Sequence, residues 1–119
     1  MDMGSGLKVP RIIDANRLSA DEINTKLLEM TMKYLKNSFE PSDLVDSTVT
    51  LTDLSSSDIL YFQPLINGDQ SAIIGIGGDR SMNCHPISIV VTFDHRVLSG
   101  KEVAEFLNRL RKKILSVVD

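Results

Sequence analysis

Thr92-Phe93-Asp94-His95-Arg96-Val97-Leu98-Ser99-Gly100 joins the end of a β-branched run to the start of an amphipathic one, and its reading decides the fold. Upstream, Pro86 to Phe93 is almost continuously apolar, the pattern of a strand covered on both faces and therefore expected to be central. Downstream, Ser99-Gly100-Lys101-Glu102 is a capping box, in which a serine hydroxyl and a glutamate carboxylate satisfy orphan amides at a helix start. Val103, Phe106, Leu107, Leu110, Ile114 and Val117 then recur at helical spacing, which predicts a core-facing stripe. Such a strand-turn-helix junction fixes the backbone on both sides of His95. A strand end is where a rigid scaffold aims an imidazole, so His95 is the first candidate for chemistry.

The same two patterns recur toward the N-terminus. Ser71 to Gly77 reads as a second central strand, preceded by the strong turn signal Asn67-Gly68-Asp69. Ser47 to Thr52 alternates β-branched residues and reads as a strand, the serine-rich Asp53 to Asp58 as a loop, and Ile59 to Ile66 as mixed and weak. Ser19-Ala20-Asp21-Glu22 is another capping box. It opens a helix expected to run to about Asn37, with Ile23, Leu27, Met30, Thr31, Tyr34 and Leu35 on one face. Pro41-Ser42-Asp43 breaks that period, and Pro10 makes Leu7 to Ile13 an edge strand or an irregular arm. Residues 1–6 read as an appended leader and residues 7–119 as one domain. The fold class expected is α/β: a two-layer mixed β-sheet with helices packed on one face.

Composition removes several classes of function. A chain of 119 residues, 42% apolar and 24% charged, suits one globular domain. A net charge of −3 disfavours nucleic-acid binding. The basic cluster Arg109, Arg111, Lys112 and Lys113 stands near a helix C-terminus, where cations complement the helix dipole. Cys84 is the single cysteine, so no intrachain disulfide forms and a reducing compartment is the simplest expectation. Cys84-His85 lacks further ligands, so no metal is expected. Neither an apolar leader nor an apolar run near ~20 residues is seen, which points to no membrane and a cytoplasmic location, or the mitochondrial matrix in a eukaryote.

Little else carries recognisable chemistry. Gly75-Ile76-Gly77-Gly78 follows a strand but opens into no helical period, so it reads as a strand end and turn rather than a phosphate cradle. No Gly-x-Ser-x-Gly elbow is present. Asp53 and Asp94 stand alone as carboxylates and read as turn or ion-pair residues. His95 remains. A free imidazole titrates near ~6.5, so at pH 7 its neutral form dominates and can take a proton from a thiol or hydroxyl.

These residues resemble the catalytic domain of the dihydrolipoamide acyltransferases, core components of 2-oxoacid dehydrogenase complexes, which share the chloramphenicol acetyltransferase fold. Asp94-His95-Arg96-Val97-Leu98-Ser99-Gly100 is similar to the family's Asp-His-Arg-x-x-(Asp or Asn)-Gly signature. Val9-Pro10-Arg11-Ile12-Ile13-Asp14-Ala15 resembles its Val-Pro-Val-Ile-Arg-Asp-Ala segment, and Thr50-Leu51-Thr52-Asp53-Leu54 its Thr-Ile-Ser-Asn-Leu strand. Ile66-Asn67, Gln70 and Ile73 to Gly77 follow its Ile-Asn-Pro-Pro-Gln-x-x-Ile-Leu-x-Ile-Gly run.

The resemblance implies transfer of an acyl group between coenzyme A and a dihydrolipoyl thiol, both of them substrates. His95 matches the general base that deprotonates the thiol. Thr52 matches a serine that donates to the tetrahedral oxyanion, keeping the donor and adding a methyl group. The resemblance further implies a homo-oligomer, trimer-based, with the active site between subunits, and other 2-oxoacid dehydrogenase components as partners. Ser99 stands at the catalytic position of the family's Asp or Asn: a serine caps equally well, without that group's carboxylate or amide. Ser55-Ser56 stands where the family often has glycine. The matched region corresponds to the C-terminal half of the catalytic domain, with no lipoyl or subunit-binding domain. A second reading is therefore a catalytically inactive assembly module that keeps the fold and the oligomer surface. Either way, exposed sheet edges predict self-association.

Overall fold

A computed structural model describes residues 1–45 and 47–118, the side chain of Val118 aside. The chain forms two compact units, Met1–Ser47 and Thr48–Asp119.

In the first unit, Leu7 to Ile13 is an irregular arm without strand pairing. A 3-10 turn at Ala15–Arg17 leads to helix α1, Ala20–Leu35. The capping box is formed: the Glu22 amide donates to Ser19 Oγ at 3.1 Å, and the Ser19 amide to Glu22 Oε2 at 2.7 Å. The helix ends two residues short of Asn37 because Asn37 takes a left-handed φ of 50°. Its amide returns to the Tyr34 carbonyl and that of Ser38 to the Lys33 carbonyl, the paired bonds of a Schellman ending. Of the expected stripe, Met30 and Tyr34 are buried, whereas Leu27 and Leu35 are exposed. The Tyr34 hydroxyl accepts from the Met3 and Ser5 amides and donates to the Gly6 carbonyl, all within 2.9 Å. Residues 1–6, expected as a leader, thus wrap that hydroxyl.

The second unit holds β1 (Val49–Asp53), β2 (Ala72–Gly78), β3 (Ile87–Phe93) and helix α2 (Gly100–Val118). The sheet is mixed: β1 and β2 run parallel, β2 and β3 antiparallel, in the order β1-β2-β3. Only β2 is central. Its partner β3, expected to be central as well, is an edge of this sheet and is half-buried along most of its length. Apolar content alone does not distinguish a strand covered on its faces from one paired on both sides.

The β1-to-β2 crossover has no α-helix. After a 3-10 turn at Ser55–Ser57, the segment that read as weak runs extended across one sheet face. Its Ile59 carbonyl accepts from the Gly78 amide at 2.8 Å, its Leu60 carbonyl from Ser88 Oγ, and its Pro64 carbonyl from Thr92 Oγ1 at 2.8 Å. Glycine makes this approach possible. A Cβ at Gly77 would lie 2.0 Å from the Leu60 oxygen, and one at Gly75 would lie 2.9 Å from the Phe62 ring. The glycine run, expected to mark a strand end and turn, lies wholly within β2 and admits a crossing chain.

The opposite face carries Val49, Ala72, Ile74 and Val91, which enclose a space of about 370 Å³ with Leu98, Val103 and Phe106. Val103 is the buried member of the α2 stripe; Leu107 and Leu110 are half-buried, and Phe106, Ile114 and Val117 are exposed. No helix among the described residues is long and apolar enough to cross a membrane.

Candidate functional site

His95 stands at the apex of the turn that leaves β3. The Asp94 amide donates to the Ser71 carbonyl at 2.9 Å, which ties the strand end to the start of β2. The Asp94 carbonyl then accepts from the Val97 and Leu98 amides, both at 3.0 Å, closing the turn under His95. Beyond it Ser99 caps α2: its Oγ accepts from the Glu102 amide at 3.2 Å and donates to Glu102 Oε1 at 3.0 Å. The backbone is therefore held on both sides of His95 by bonds that the strand end and the capping box dictate.

The Asp94 carboxylate adds a clamp inside this turn. Oδ1 accepts from the Arg96 amide at 2.9 Å and from Arg96 Nε at 3.0 Å, and Oδ2 accepts from Nη2 at 2.8 Å. These bonds from the Arg96 side chain, then from its amide, pull the Asp94 carboxyl from its ordinary 3.8 to about 2, with Arg96 and His95 charges adding to the effect. Asp94 is thus an ion-pair residue, as its isolation suggested. Asp53 is a turn residue, its Oδ1 accepting from the Ser55 amide at 2.8 Å and from Ser55 Oγ at 2.6 Å.

The His95 ring is exposed and rests against Phe93, with centroids 4.6 Å apart and planes tilted by 53°. It makes no hydrogen bond within the described residues, so neither ring nitrogen is committed. His95 and Phe93 border an open cleft of about 490 Å³, together with Ile66, Gly68, Gln70 and the Asp94–Arg96 pair. Phe93 and Gln70 had no assigned role in the sequence. The signal for Phe93 was its aromatic ring two positions before a strand-end histidine. For Gln70 the signal is its place in the run that opens with Ile66-Asn67.

Thr52 lies elsewhere. It sits on β1 opposite Gly75, which in turn pairs with Val90 of β3. His95 follows Val90 by five positions and two strand spacings separate the outer strands, which puts the two residues roughly 15–20 Å apart. The Thr52 hydroxyl, half-buried on the face crossed by the extended segment, makes no hydrogen bond within the described residues. Ser99 is brought near His95 by sequence, but its hydroxyl is engaged with Glu102. Cys84 and His85 are exposed in the β2–β3 loop. No group of three metal-ligating side chains occurs among the described residues.

A family model described as 2-oxoacid dehydrogenases acyltransferase (catalytic domain) matches residues 1–118. The chain is 29% identical over 123 residues to the dihydrolipoyllysine-residue acetyltransferase component of the pyruvate dehydrogenase complex of Mycoplasma capricolum. That match takes in 93% of this chain and 27% of the relative. The fold is that of the probable dihydrolipoamide acetyltransferase of Listeria monocytogenes, with a TM-score of 0.85 at 21% identity over 98% of this chain and 54% of the other. The dihydrolipoamide acetyltransferase of Azotobacter vinelandii gives a TM-score of 0.75 at 22% identity, over 90% of this chain and 48% of the other. Crystallographic and enzymatic work on that protein has addressed the role of a serine, a histidine and an asparagine, the last two four residues apart, in its catalytic mechanism. The chain spans about a quarter of the first relative's length and about half of each solved structure.

Proposed function

Because the chain belongs to the 2-oxoacid dehydrogenases acyltransferase (catalytic domain) family, we propose that it carries the His95 side of an acyl-transfer site working between coenzyme A and a dihydrolipoyl thiol. The observation that carries this reading is the uncommitted imidazole at the rim of an open cleft, on a turn braced by a strand and a capped helix. Further support comes from the four-residue separation of His95 and Ser99, the same as that of the histidine and asparagine in the Azotobacter protein.

In this reaction His95 accepts the proton of the attacking thiol. A free thiol titrates near ~8.5, so a neighbouring base raises the thiolate fraction at neutral pH. The thiolate adds to the thioester carbonyl of the other carrier, and the tetrahedral oxyanion receives a hydrogen bond from a Thr52 hydroxyl. Collapse breaks the original C–S bond. The departing thiolate takes back the proton from the His95 imidazolium, which regenerates the base. Since Thr52 and His95 of one chain are far apart, the oxyanion donor and the base come from neighbouring protomers of a trimer-based homo-oligomer. The exposed apolar side chains of Leu51, Ile87 and Val117, at 63%, 72% and 77%, favour such assembly. Other 2-oxoacid dehydrogenase components are the expected partners, in the cytoplasm or a mitochondrial matrix.

The test is transfer of an acetyl group from acetyl-coenzyme A to dihydrolipoamide, followed by loss of the acceptor thiol, with a full-length relative as control. Turnover abolished in His95→Ala supports the reading; no turnover by the wild-type chain overturns it. A second reading, an assembly module without turnover, is favoured by the engagement of Ser99 in capping alone. Trimers by light scattering that bind no coenzyme A would select it.

A further inference from the structure

Among the described residues Gln70 is the buried polar one, only 8% exposed, and it borders the same cleft as His95. Two bonds fix it. Its amide donates to the Asn67 carbonyl at 3.2 Å, closing the turn before β2. Its side-chain oxygen Oε1 accepts from the Thr50 hydroxyl of β1 at 2.6 Å. A carboxamide has one acceptor oxygen and two N–H donors. With Oε1 held by Thr50, the donors at Nε2 are the free end of the group, and they make no hydrogen bond within the described residues. Nε2 is not sealed inside the protein, because no fully buried side-chain nitrogen or oxygen among the described residues lacks a partner. The open space that Gln70 borders is the His95 cleft.

Donors open to the cleft bond water there and can exchange that bond for one to a ligand's acceptor. The surrounding charges select the acceptor. Asp69 and Asp94 stand at the rim, and the guanidinium of Arg96 is already paired with Asp94. That environment repels phosphate and suits a neutral carbonyl oxygen. Both thiol carriers in the reading above present such an oxygen, since each thiol sits at the end of a flexible arm interrupted by amide bonds.

Resting on that reading, we infer that Gln70 is a substrate-binding residue whose Nε2 donates to an amide carbonyl of the incoming thiol arm, setting that arm's depth relative to His95. Thr50 is its positioning residue, since its hydroxyl donates to Oε1 and holds the carboxamide with Nε2 left free. Neither residue touches the reacting atoms, so their signature is in binding.

The direct test is a nitrogen-15 NMR titration of the full chain with pantetheine and, separately, dihydrolipoamide, following the Gln70 side-chain amide and the His95 ring. Saturable shifts at both sites support the assignment. Movement of His95 with Gln70 unchanged overturns it and leaves the acyl-transfer reading standing. If neither moves and the chain transfers no acetyl group, both fall. Gln70→Glu keeps an acceptor for Thr50 and removes the donors. It is expected to raise KM for the thiol about tenfold, the worth of one hydrogen bond, with kcat within about twofold. An unchanged KM in folded Gln70→Glu overturns the assignment. Should that variant not fold, the wild-type titration decides alone.

Discussion

Thr52, in β1, and His95, in the turn that leaves β3, lie toward opposite ends of one small sheet. Thr52 is near the C-terminal end of β1, level with Val90, whereas His95 follows Phe93, which is level with Val49 at the start of β1. No rotamer change closes a gap of roughly 15–20 Å. If the two residues serve one reaction, they do so across a subunit boundary. Mixed oligomers test this directly. His95→Ala and Thr52→Val chains, each inactive alone, should recover about one quarter of wild-type activity when co-refolded as random cyclic trimers, because one neighbour pair in four is intact. No recovery in demonstrably mixed trimers contradicts a shared site.

The two single substitutions should differ in kind. His95→Ala removes the base and should lower kcat by ~10²–10⁴-fold. Thr52→Val removes the oxyanion donor with little change in shape and should lower kcat by ~10²–10³-fold. Thr52→Ser keeps the hydroxyl and should hold kcat close to wild type. A Thr52→Val chain with full turnover would take Thr52 out of the reaction.

Ser99 separates helix capping from catalysis. Ser99→Ala leaves the Glu102 amide without its acceptor and should cost ~1 kcal/mol in urea unfolding. Ser99→Asn keeps a capping side chain and should unfold close to wild type. Any change in turnover that it shows is then a property of the site and not of helix α2.

Gly77 should be the least tolerant glycine of the sheet. Alanine there would drive its Cβ into the Leu60 carbonyl, 2.0 Å away, and relief requires moving the crossing segment. Gly77→Ala should destabilise by ~1–3 kcal/mol or more. Gly100 has nothing within 4 Å of the added carbon, so Gly100→Ala at the start of α2 should be neutral or slightly stabilising. Equal unfolding midpoints for the two variants would contradict the close approach.

The clamp under His95 has a defined pH window. Its hydrogen bonds to Arg96 depress the Asp94 carboxyl from 3.8 to about 2. The folded state is therefore favoured by this group above pH ~4, and that contribution is lost as pH falls through about 2. As pH falls through about 2, the Arg96 amide should lose hydrogen-exchange protection. Asp94→Asn should remove the window, leaving the remaining acid dependence to other carboxylates such as Asp43, whose pKa is also lowered by its bonds to the Glu40 amide and Lys33.

What the sequence by itself determined is local. Both capping boxes formed with their reciprocal bonds because Ser19–Glu22 and Ser99–Glu102 need only three residues of spacing. β2 and β3 were legible from unbroken apolar runs, the Gly68 turn from its composition, and His95 from its place between strand and helix. Tertiary structure decided everything that depends on what lies opposite. It set β3 at the edge of the sheet, left Leu27 and Leu35 exposed, and brought Leu60 over Gly77. It also turned a motif glutamine with no assigned role into a fixed wall of the His95 cleft, and it separated Thr52 from His95 along a register no period can encode. Period and capping arise from backbone bonds a few residues apart. Pairing order and face coverage arise from partners distant in sequence, and a strand's own residues carry no record of them.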